Sequence, residues 1–138
     1  MSIASSYIRE FNRYVESLMN FFEECPPIDT EVQFSIKIDS LYMDVELSPS
    51  GNQWIIQGGA TAIVLDRKTL KLLEFTSNFG TLFFFDSKMY YNDKWKTLED
   101  WEAELFQLST TYDEERPVSL NPLSLLRLVE YNKMRLSL

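Results

Sequence analysis

Residues 32–47 read Val-Gln-Phe-Ser-Ile-Lys-Ile-Asp-Ser-Leu-Tyr-Met-Asp-Val-Glu-Leu, and the reading of this stretch decides the fold class. Val32, Phe34, Ile36 and Ile38 alternate with Gln33, Ser35 and Lys37. After a break, Leu41, Met43, Val45 and Leu47 alternate with Tyr42, Asp44 and Glu46. A period of two puts the apolar groups on one side of an extended chain and leaves the other side wet. Asp39-Ser40 interrupts the pattern, which predicts a tight hairpin between two antiparallel strands. Asp-Ser is a weaker hairpin turn than Asn-Gly, so a bulged continuous strand is the alternative.

Moving towards the C-terminus, Ser48-Pro49-Ser50-Gly51-Asn52 has the residue types of a turn. Residues 53–65 read as one long strand interrupted by Gly58-Gly59, a pair that marks a bulge, a bend or a close backbone approach. Its spacing fits no phosphate-binding loop. Asp66-Arg67-Lys68-Thr69 turns the chain into a further strand, and residues 77–80 turn it again. Residues 81–86 read as the next strand, extending towards Tyr91, and its consecutive Phe83, Phe84 and Phe85 imply burial on both faces. The expectation is an antiparallel meander of five to six strands.

Helices flank the meander in the pattern. Ile8, Phe11, Val15, Leu18 and Phe22 recur three and four apart, which predicts an amphipathic helix over residues 6–24, stopped by Pro26-Pro27. Thr97 followed by Asp100 resembles a capping box and opens a helix to about Leu108, with Leu98, Trp101, Leu105 and Leu108 on its apolar face. Asn121-Pro122 opens a last helix to about Leu136, burying Leu125, Leu126, Leu128 and Val129. The whole is expected to be one α+β domain over residues 1–138: helix, meander, two helices.

Composition limits the chemistry. With no histidine in 138 residues, the commonest general base, zinc ligand and triad member are missing. Cys25 is the single cysteine, so no internal disulfide forms, and it reads as a structural thiol. We expect no catalytic residues, metal or cofactor. No run approaches the ~18–20 apolar residues of a membrane span, and no leader pattern opens the chain, so it reads as cytoplasmic. The formal charge is −8, which repels phosphate backbones and disfavours nucleic acid; a basic protein is the partner such a surface attracts.

The acids concentrate between residues 93 and 115, where Asp93, Glu99, Asp100, Glu102, Glu104, Asp113, Glu114 and Glu115 accompany Tyr91 and Trp95. Aromatic rings beside carboxylates suit a protein interface, and these ten residues are the candidate partner-binding set. The plainer reading makes them a solvated helix face and a seal at the end of the sheet. Two other classes compete with a binding module. One is a cone-shaped ligand-binding or catalytic domain, as in folds similar to the nuclear transport factors, with a pocket lined by Phe83, Phe85, Tyr90 and Trp101. The other is an acidic secretion or assembly chaperone.

Ile63-Val64-Leu65-Asp66-Arg67-Lys68-Thr69, followed by Lys71-Leu72-Leu73-Glu74-Phe75, resembles a hairpin of several families of small bacterial toxin-immunity proteins. There a strand ends in a Val-Asp-x-x-Thr-Gly turn and returns as a short apolar strand; here Leu70 stands in the place of the glycine. The resemblance covers about fifteen residues. It implies a stoichiometric inhibitor that binds a cognate toxin domain, often a basic nuclease, and blocks or distorts its active site.

Overall fold

The computed structural model describes residues 20, 33–38, 41–59, 61–77, 80–113, 115 and 121–136. Eight antiparallel strands run in sequence order across one sheet: Gln33–Ile38 (β1), Leu41–Leu47 (β2), Gln53–Gly58 (β3), Thr61–Asp66 (β4), Leu72–Ser77 (β5), Gly80–Phe85 (β6), Lys88–Tyr91 (β7) and Lys94–Thr97 (β8). Two helices follow, Leu98–Ser109 (α1) and Pro122–Leu136 (α2). The class is α+β. The helix expected over residues 6–24, together with Cys25, lies outside the described residues apart from Asn20, whose Oδ1 accepts from Arg127 Nη2 at 3.0 Å.

The meander has more strands than five or six because three segments resolve differently. Gly58-Gly59 is not a bend within one strand. Gly58 pairs with Thr61 and Gly59 takes φ +57, so the glycines open a two-residue hairpin. A Cβ at Gly58 would come within 2.8 Å of Met43 Cγ and 2.9 Å of the Tyr42 carbonyl oxygen, so β2 also requires a glycine there. The strand read over residues 81–86 ends at Phe85, and its expected extension towards Tyr91 is a separate strand after a turn at Asp86-Ser87; Asn92-Asp93 then returns the chain as β8. All four turn residues have positive φ, from 51° to 63°, the type I′ geometry that twists with its strands. The pairing Ile38↔Leu41 makes residues 33–47 the expected hairpin.

The pleat sorts side chains cleanly. Met43, Val45, Trp54, Ile56, Ile63, Leu65, Leu72, Phe75, Leu82, Phe84 and Met89 are buried in one core cluster with Leu98, Trp101 and Leu105 of α1 and Leu125, Leu128, Val129 and Tyr131 of α2. Each large apolar side chain so buried contributes roughly 1.5–3 kcal/mol before the entropy of ordering it. Leu108, expected on the buried face of α1, is instead exposed near the helix end.

The β4–β5 ladder steps from Val64↔Glu74 to Leu65↔Leu72, so Leu73 is an extra residue that lets both Leu72 and Phe75 face inward. β5 then diverges from β6 beyond the Glu74↔Phe83 pair. α2 completes the bonding at this point. The buried Asn132 accepts from the Leu72 N–H at 2.7 Å and donates to the Leu72 carbonyl at 2.8 Å, as a neighbouring strand would. Beside it the Tyr131 hydroxyl donates to the Leu70 carbonyl at 2.7 Å. Both helix starts follow the sequence signals. Thr97 Oγ1 accepts from the Asp100 N–H at 3.1 Å, and Asn121 Oδ1 accepts from the Leu123 N–H at 2.9 Å.

Candidate functional site

α1 and α2 pack against each other, and from the core side of the sheet α1 contacts β7 and β8 while α2 contacts β5. Residues of opposite parity point the other way, where β2 to β8 align a row through the register Glu46–Ile55–Val64–Glu74–Phe83–Tyr90–Trp95. Its right-hand half is aromatic. The Phe83 and Tyr90 ring centroids lie 6.1 Å apart and those of Tyr90 and Trp95 5.4 Å apart, each pair tilted by 50°. Phe83 is 40% exposed, Trp95 51%, and Phe85, one row away, 75%. Consecutive phenylalanines therefore do not mark a strand buried on both faces. Phe84 is buried, while Phe83 and Phe85 stand on the open side.

Carboxylates border this row. Asp44 and Glu46 are exposed on β2. Glu74 lies directly opposite Phe83, and its Oε1 accepts from the Thr76 hydroxyl at 3.1 Å. Asp93, in the β7–β8 turn, accepts from the Tyr90 hydroxyl at 3.0 Å. That bond holds the Tyr90 proton and raises its pKa, so the ring stays neutral and fixed in orientation. Two lysines stand at the margins: Lys37 sits 5.6 Å from the centroid of the exposed Tyr42 ring, and Lys88 pairs opposite Phe85.

The ten residues expected to bind a partner do not form one surface. Asp93 and Trp95 belong to the open face with Tyr90. Tyr91 is turned inward, its ring edge-on to Trp101 at 5.3 Å, and burial, with the nearby Glu104 carboxylate, raises its pKa. Glu104 pairs with Lys96, whose Nζ also sits 4.6 Å from the Trp101 ring centroid. Glu102 pairs with Lys133 at 3.1 Å. Glu99 and Asp100 are exposed in the first turn of α1, where the helix dipole favours acids. Asp113 accepts from the Glu115 N–H at 3.0 Å in the connection to α2, and Glu114 lies outside the described residues. Phe83, Phe85 and Glu74, which are not among the ten expected residues, also stand on the open face; the alternation of Phe83 and Phe85 against Leu82 and Phe84 is the sequence signal for the two phenylalanines.

The residues proposed for a cone-shaped pocket are likewise divided by the sheet. Phe83, Phe85 and Tyr90 face outward and Trp101 is buried on the other side. A cleft of about 150 Å³ opens where β5 and β6 diverge, lined among others by Leu73, Phe85, Ser87, Lys88 and Asn132. It is smaller than the roughly 300–1,000 Å³ of small-molecule sites. Among the described residues no three side chains of ligating type converge on a point that could hold a metal ion, and no helix is long and apolar enough to cross a membrane.

No protein-family model matches the chain, and comparisons with curated proteins and with solved structures found no match.

Proposed function

We propose that this chain is a protein-binding module whose contact surface is the open face of the sheet, and that its partner is basic. The observation that carries this reading is the row Phe83–Tyr90–Trp95 on a regular sheet, each ring set against the next, with Phe83 and Trp95 open to solvent and Tyr90 half-buried between them. Water contact with such a patch costs free energy that a partner recovers, and Tyr and Trp anchors dominate interface energetics. The net charge of −8 and the bordering Asp44, Glu46, Glu74 and Asp93 favour a cationic counterpart and speed its arrival.

The immunity-type reading is the most specific form of this proposal: a stoichiometric inhibitor of a basic toxin domain. The β4–β5 turn supports it. Asp66 Oδ1 accepts from the N–H groups of Lys68 and Thr69 and from the Thr69 hydroxyl, and Leu70 adopts φ +60, the conformation for which a glycine is expected at that place in the resemblance. A histidine-free chain also suits binding better than catalysis.

A photo-crosslinking amino acid placed at Trp95 and, separately, at the exposed Phe106 of α1 tests the reading in a native lysate. The expected result is one basic protein joined at stoichiometric yield from position 95 and not from position 106. Crosslinks only from position 106, or none from either, would remove the open face as the contact surface.

A further inference from the structure

Near β7 and β8 the core face brings a cation, a carboxylate and an aromatic ring together, whereas among the described residues the open face brings only carboxylates and rings together, with Lys88 at its margin opposite Phe85. On the core side, Lys96 is held between the Glu104 carboxylate and the Trp101 ring. A cation bracketed by an acid and an aromatic face gains from both, because the ring quadrupole and the carboxylate attract the same charge. Ring-to-cation contacts recur in this chain: Arg135 lies 5.2 Å from the Tyr131 ring centroid and Arg67 5.9 Å from that of Trp54. On the open side, Phe83, Tyr90 and Trp95 supply the rings, with Glu74 opposite Phe83 and Asp93 bonded to Tyr90. Among the described residues no cation lies over these three rings.

We infer that the missing member comes from the partner, as an arginine-bearing segment laid along the Phe83–Tyr90–Trp95 row, with its guanidinium groups over the rings and against Glu74 and Asp93. Arginine fits this seat better than lysine. Its planar group stacks on a ring while its edge donates to a carboxylate, and it sheds water more readily than an ammonium. The 50° tilts between neighbouring rings leave ring faces turned at different angles to the incoming chain, which suits stacked side chains better than a flat ligand. A second copy of this chain is a poor occupant, since two chains of net charge −8 repel. Single-stranded nucleic acid also stacks on aromatic rows, but it needs a cationic groove where this face carries Asp44, Glu46, Glu74 and Asp93.

This inference rests on the protein-binding reading and names the chemistry of its partner. It is tested by titrating the full chain at low salt with acetyl-Gly-Arg-Gly-Arg-Gly-amide, its lysine counterpart and an oligothymidylate, following backbone amide shifts and tryptophan emission. Shifts should centre on Glu74, Phe83, Tyr90 and Trp95, with the arginine peptide tighter than the lysine peptide. Trp95→Ala and Glu74→Gln should each weaken it about five-fold. Glu74→Gln changes charge at constant volume, so it keeps the test independent of folding. Glu130→Gln, the same charge change on an exposed α2 position, should leave affinity unaltered. Shifts confined to the helices, equal weakening by Glu130→Gln, or preferred binding of oligothymidylate to these rings would overturn the arginine seat. If the peptides fail while the crosslink from position 95 persists, the seat is lost and the protein-binding reading stands. If both fail, both are lost.

Discussion

Tyr90 and Tyr91 are consecutive residues with opposite fates, and Trp95 and Trp101 repeat the contrast a few residues on. Tyr91 packs its ring against Trp101, and the Trp101 indole N–H donates to the Met89 carbonyl at 2.7 Å in the core. Tyr90 packs against Trp95 in solvent, with its hydroxyl tied to Asp93. Both faces carry aromatic pairs of similar geometry, but the described helices cover only one. The covered pair holds the fold together. The open pair adds little to folding and is costly to leave wet, which is why we read it as a surface meant for something else.

Substitution should separate the two faces sharply. Trp101→Ala removes a fully packed side chain and its hydrogen bond, and should cost about 3–5 kcal/mol in denaturant titrations. Trp95→Ala, half exposed, should cost less than about 1 kcal/mol. Similar losses for both would erase the distinction between the faces. The attachment of α2 comes next. Asn132→Ala leaves the Leu72 N–H and carbonyl in a buried place without their partner and should destabilise by about 2–3 kcal/mol, with loss of amide-exchange protection beginning at β5.

Asp66 supplies a smaller, pH-dependent effect. Hydrogen bonds from the Thr69 N–H first, then from the Thr69 hydroxyl and Lys68 N–H, together with Lys71, lower its pKa, against a partial opposing effect of burial. A carboxylate whose folded pKa lies below its unfolded value of roughly 3.9 contributes stability that is fully present above that value and is lost as pH falls through the lowered one. Asp66→Ala should therefore cost on the order of 1 kcal/mol at neutral pH, and the difference from wild type should vanish in acid. An undiminished difference at low pH would assign the effect to packing. The smallest change is a gain. Ser87 holds φ +62 in the β6–β7 turn, so Ser87→Gly should raise stability by about half a kcal/mol without altering the peptide titration.

How much of this was legible in the sequence depends on the range of the deciding interaction. The alternation over residues 33–47 and the caps at Thr97 and Asn121 are local, and each reads correctly because its partner lies within a few residues. The turns were harder. Asp-Ser at 39–40 reads as a hairpin signal, yet the same dipeptide at 86–87 reads as a strand end carried on towards Tyr91 because apolar residues flank it. There the positive φ that Asp and Asn tolerate outweighs strand propensity. The proposed binding surface was least legible. Phe83 to Phe85 looks the same whether one face or two are covered, and only the helices' position tells them apart. The acidic stretch looked continuous because adjacency in sequence hides what the fold uses. Lys133, thirty-one residues away, takes Glu102, and Lys96 takes Glu104, leaving Asp93 on the opposite side of the sheet.

Hydroxyl-radical footprinting of the full chain, alone and with its captured partner, tests the central claim most directly. We predict that Phe83, Phe85 and Trp95 are labelled in the free protein while Trp54 and Trp101 are not, and that partner binding protects the first three while Phe106 and Leu123 on the helices stay labelled. Protection of the helix residues with Phe83, Phe85 and Trp95 still open to labelling would contradict it.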